Sequence, residues 1–91
     1  MTPIALCFVS GEDWPEYCRI STDLPVGSDY DTWLNNLRKF RNNIVAQGGT
    51  PIQIDTKPAD LLAWCQTRHV PVNPKSRALY AATRFIELNK N

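Results

Sequence analysis

Cys7, Cys18, Cys65 and His69 together have the stoichiometry of a Cys₃His zinc site, and they are the only cysteines and the only histidine in the chain. Their spacing argues against that chemistry. Structural zinc sites draw their ligands as close pairs on short knuckles, whereas Cys7 and Cys18 lie far apart in sequence. Cys65 and His69 stand at i and i+4, neighbours on one helix face, and so present a candidate thiolate–imidazolium pair. Yet Cys65 falls on the apolar stripe of Leu61 and Leu62, where burial raises a thiol pKa and makes the sulfur inert. The residues therefore predict reduced thiols acting as small hydrophobes and a histidine at a helix end, where the dipole favours it. No metal and no cofactor is expected. Gly11, Gly27, Gly48 and Gly49 form no phosphate-binding pattern, and Asp29 and Asp31 suit a helix start better than acid–base work. The sequence carries no recognisable catalytic apparatus, so the expectation is a protein that is not an enzyme.

Two binding chemistries remain. The first is contact with another protein. Trp14 and Tyr17 lie among the acids Glu12, Asp13 and Glu16 in a stretch read as a loop and strand edge. Exposed aromatics are common contact anchors, and a ring of acids suits a basic partner surface. The second is nucleic acid. Residues 60–88 read as helix, short break, helix, and the last helix opens on Asn73-Pro74-Lys75-Ser76-Arg77. In a helix-turn-helix that end reads base edges, with Arg68, Lys75, Arg77 and Arg84 placed for DNA and its phosphates. The break Val70-Pro71-Val72 is a poor match to the tight turn of that motif, and the pI of 7.7 is low for such a domain.

These groups must be positioned by a small set of elements. Ile4 to Val9 is a continuous apolar run of strand length, with Ile4, Leu6 and Phe8 on one face and Ala5, Cys7 and Val9 on the other. Ser10 to Pro15 reads as a loop and Tyr17 to Ser21 as a second strand, a hairpin that sets Cys7 opposite Cys18. Ser28 is the candidate N-cap of a helix over Asp29 to Gln47, whose stripe predicts burial of Trp33, Leu37 and Phe40 against the sheet. Gly48 and Gly49 supply its left-handed end. Thr50 to Asp55 is a third strand. Thr56 caps a helix reaching about His69, and Asn73 caps the last helix, which packs through Ala78, Leu79, Ala82, Phe85 and Ile86. The expected fold is α+β, order ββαβαα, with a three-stranded antiparallel sheet (2-1-3) and about three helices.

Size and composition bound the rest. With 91 residues, the chain is expected to be a single small globular domain, 1–91. Hydrophobic residues make up 43%, so a core is available. Residues 1–31 hold six acids against one base, and residues 32–91 nine bases against three acids, an asymmetry that can mark a partner surface. No apolar run approaches membrane length, and the start lacks a leader pattern, so the setting is expected to be cytoplasmic with no membrane contact. The functional expectation is a small accessory protein that binds another protein, such as a phage or mobile-element inhibitor or adaptor. DNA binding is the alternative, and a homodimer is left open.

Overall fold

The computed structural model describes residues 2–25 and 27–89, and the element order is β1 (Pro3–Phe8), α1 (Trp14–Ile20), α2 (Tyr30–Ala46), β2 (Thr50–Asp55), α3 (Pro58–Thr67) and α4 (Pro74–Leu88). β1 and β2 pair in parallel, Pro3 beside Thr50 through Phe8 beside Asp55. The mixture of helix and strand is as expected, but the three-stranded antiparallel sheet is not. Among the described residues the sheet has two strands and the chain has four helices.

The difference arises at residues 14–20. The expected second strand, Tyr17 to Ser21, is helix α1 with Ser21 as its C-cap. Trp14, Tyr17 and Cys18 stand at i, i+3 and i+4, the spacing of one helical face, and all three are buried. Pro15 sits in the first turn, where a missing N–H costs nothing, and Glu16 bonds Arg19 one turn on. With no hairpin, Cys7 and Cys18 are not cross-strand neighbours, and all three cysteines are free. β2 must then return parallel to β1 through the α1–α2 crossover.

α2 is capped by Asp29, one residue later than expected, whose carboxylate accepts from the Thr32 N–H. It ends at Gln47, followed by Gly48 at φ 85°, the left-handed position a Cβ disfavours. α3 is preceded by Lys57 with no side-chain cap, not by a capping Thr56; the Thr56 hydroxyl is turned onto the Ile54 carbonyl. α4 opens on a capping box, the Asn73 side chain accepting from the Ser76 N–H and Ser76 Oγ accepting from the Asn73 N–H.

The helices cover both faces of β1. Phe8 meets Trp33 of α2, and the Cys7 thiol on the opposite face donates to the Arg77 carbonyl of α4 at 3.3 Å. The core lies past the carboxyl end of β1, where Val9, Trp14, Tyr17, Cys18, Leu61, Cys65, Val72 and Tyr80 pack together. The helix faces differ from their sequence pattern. On α2 only Ile44 is fully buried, and Phe40 is 51% exposed. α4 packs through Ser76, Tyr80 and Ala81, leaving Leu79 55% and Ile86 60% exposed. Of the stripe expected to seat α4 on the core, Phe85 is half-buried and Ala78, Leu79, Ala82 and Ile86 are exposed.

Candidate functional site

The sequence-derived contact residues separate into core and surface. Trp14 is 6% and Tyr17 2% exposed, so neither is free to anchor a partner. The Trp14 indole donates to the Ser28 carbonyl at 2.7 Å, and its ring packs between Tyr17, Tyr30 and Trp33. Burial pushes the Tyr17 hydroxyl well above the usual phenol range. Glu16 bonds Arg19, and Asp13 pairs with Lys57 at 3.3 Å. Glu12 is exposed in the turn before α1. The acids are on the surface, but two of the three are matched by the protein's own cations.

Three of the four basic residues of the nucleic-acid alternative are also engaged. Arg68 stacks on the Trp64 ring at 3.9 Å, and Arg84 pairs with Glu87. Arg77 makes a two-pronged bond to Asp23 at 2.6 and 2.7 Å and lies over the Tyr17 ring. That guanidinium holds the Asp23 carboxyl below its ordinary range. Lys75 is exposed in the first turn of α4. His69 lies beyond the end of α3 at φ 57°, in the turn that closes the helix, while Cys65 is buried. Among the described residues no three His, Cys, Asp or Glu side chains gather as metal ligands.

Two hollows remain. One, of about 370 Å³, lies at the carboxyl ends of both strands and is lined by Ser10, Asp13, Asp55, Thr56 and Lys57. Its polar groups largely satisfy one another: Lys57 holds Asp13, Gln53 donates to Asp55, and Ser10 Oγ accepts from the Asp13 N–H.

The other runs along the outer edge of β1. Its floor is Ala5, Leu6 and Cys7; α2 supplies Leu37 and Phe40 as one wall, α4 supplies Pro74, Arg77 and Ala78 as the other, and Tyr17 and Trp33 close one end. It measures about 320 Å³. Sequence reasoning missed it because it treated β1 as a central strand. The bonds Thr50 N–H to Thr2 carbonyl and Thr56 N–H to Phe8 carbonyl fix the phase of the ladder. In a parallel pair alternate residues face the partner strand, so even-numbered residues of β1 point to β2 and odd-numbered ones point outward. Ala5 and Cys7 thus turn their N–H and carbonyl groups into the groove. Among the described residues, no other segment bonds to them.

The two edges of the sheet are not alike. The outward positions of β2 are Pro51, which has no N–H, Gln53, and the charged Asp55. Proline and charge are the usual means by which an edge is made unfit for pairing. The β1 edge has Pro3 at its first position and then only Ala5 and Cys7. The proline in Thr50 to Asp55 marks that strand as an edge, but the expected 2-1-3 order already had it there, so it did not reveal the open side of β1.

No family model, curated protein or solved structure matches this chain.

Proposed function

We propose that the protein is a non-enzymatic binding module whose partner is another protein, held in the groove at the outer edge of β1. The observation that carries this reading is the pairing-competent edge of Ala5 and Cys7, flanked by the apolar walls of α2 and α4. Unpaired strand edges are templates for an added strand; the main chain supplies the hydrogen bonds, and pockets for alternate side chains supply selectivity. Phe40 lines the groove and is half exposed, and α4 carries the exposed Leu79 and Ile86 on its outer face. Single exposed apolar residues need no explanation, but a whole helix face does. This surface replaces the Trp14 and Tyr17 aromatics as the anchor, and its lining is apolar apart from Arg77, already bonded to Asp23.

The test is selection from a displayed library of random peptides on the dilute full-length chain, repeated on Ala5→Pro. Proline at position 5 deletes one outward N–H and fills the edge with its ring, without touching the ladder to β2. The expected peptides carry apolar residues two apart, the period of an extended strand, and are lost on Ala5→Pro. Selected peptides with helical spacing, or equal selection by both proteins, would overturn the reading.

A further inference from the structure

We infer that the strand seated in the groove is β1 of a second copy of this chain, paired antiparallel about a two-fold axis at Leu6; the inference rests on the reading of the groove as a protein-binding edge. In that register Ala5 lies opposite Cys7 of the partner copy, and Cys7 opposite Ala5. Each pair exchanges two N–H···O bonds, so all four groups that Ala5 and Cys7 turn outward are satisfied in each copy. Leu6 meets Leu6 on the axis as a non-hydrogen-bonded pair, with Cα atoms about 4.5 Å apart.

The ends of the edge match as well. Pro3 falls opposite Val9, and proline has no N–H to give. The carbonyl that would have gone unbonded, that of Val9, already accepts from the Tyr30 hydroxyl at 2.7 Å. The gap in the donors at one end of the strand therefore meets a carbonyl that needs none at the other. A two-fold axis brings both matches about at once, because an isologous contact presents the same patch twice.

Electrostatics and shape agree with self-pairing. The one charged side chain lining the groove, Arg77, is bonded to Asp23, and the chain carries a net charge of only +1, so two copies meet with little like-charge repulsion. Ala5 is small, so the backbones approach without displacing a large side chain. The exposed Phe40 and the Ala78 end of the outer α4 face flank the floor and would be covered first.

The experiment is the solution mass of the full chain by light scattering across a wide concentration range, for wild type and Ala5→Pro, with near-ultraviolet dichroism to show that both are folded. Wild type is expected to rise from the 10.3 kDa monomer to twice that mass, and Ala5→Pro to stay monomeric. A second pair of variants reads the register whether or not Ala5→Pro folds. In a Cys7→Ser background, Leu6→Cys places two thiols on the axis and is expected to cross-link under mild oxidation; Ile4→Cys, which faces position 8 of the other copy, is not. A wild type that stays monomeric at high concentration overturns the inference. If displayed strand peptides are still captured, the binding reading stands without it. A dimer that survives in Ala5→Pro, or that cross-links equally at positions 4 and 6, also overturns it. Peptide selection insensitive to Ala5→Pro would remove the parent reading separately.

Discussion

Trp14 shows how one side chain decides what a surface can do. Its indole N–H is bonded to the Ser28 carbonyl, and its ring contacts three other aromatics from α1 and α2. Aromatic truncations in such a core cost about 3–5 kcal/mol. Trp14→Ala is therefore expected to lower the denaturant midpoint severely, against a total stability of about 5–15 kcal/mol for a small domain. A thermal or denaturant midpoint within error of wild type would show the residue to be peripheral. Arg77 and Asp23 form the second decisive contact, joining α4 to the loop after α1. The Asp23 pKa is lowered in the fold, so its contribution is complete above the ordinary carboxylate value of 3.8 and is lost as pH falls through the lower folded-state value. Asp23→Asn is expected to cost about 1 kcal/mol near neutrality, after allowance for the partial exposure of the carboxylate. The difference from wild type should vanish under acid. A midpoint difference that stays constant across the pH titration would contradict this assignment. The sequence made Trp14 and Tyr17 visible but not their burial, because Trp14-Pro15 reads equally as a loop tip or as a first helical turn. The buried positions Trp14, Tyr17 and Cys18 favour the turn, and their spacing was available to be read.

At the scale of elements, the sequence located most boundaries and failed on one identity and two faces. β1, β2, α2 and α4 lie close to where the apolar runs, Gly48 and the Asn73-Pro74 start place them. α1 is seven residues long, too short for periodicity to separate it from a strand. That single exchange removed the hairpin, made the sheet parallel and exposed the β1 edge. The faces failed for a different reason. A stripe such as Leu79, Ala82 and Ile86 shows that a helix has an apolar side, but not that this chain covers it. α4 turns Tyr80 and Ala81 inward instead. Leu79→Gln with Ile86→Gln, on the outer face, is expected to change the unfolding free energy of the dilute chain by less than about 0.5 kcal/mol per site. Tyr80→Ala, one position along, should cost about 3 kcal/mol. Equal losses from both faces, measured by urea unfolding, would mean that α4 is seated through its outer stripe after all.

At the scale of the whole molecule, a two-stranded sheet is a small platform, and two-stranded pairs rarely stand alone in water. Here α2 and α4 close the two faces of β1 and leave the edge between them open. β2 ends the sheet on its own side with Pro51 and Asp55, so growth of the sheet is permitted in one direction only. No helix among the described residues is long and apolar enough to cross a membrane, so the apolar outer face of α4 is not a spanning segment. The open edge is the central claim, and residue-resolved amide hydrogen exchange on the dilute chain tests it most directly. The Leu6 N–H, pointing to β2, is expected to exchange slowly, while those of Ala5 and Cys7 on either side exchange fast and become protected as concentration rises. Ala5 and Cys7 amides as slow as Leu6 in the dilute chain would mean that the edge is already covered, and would contradict the claim.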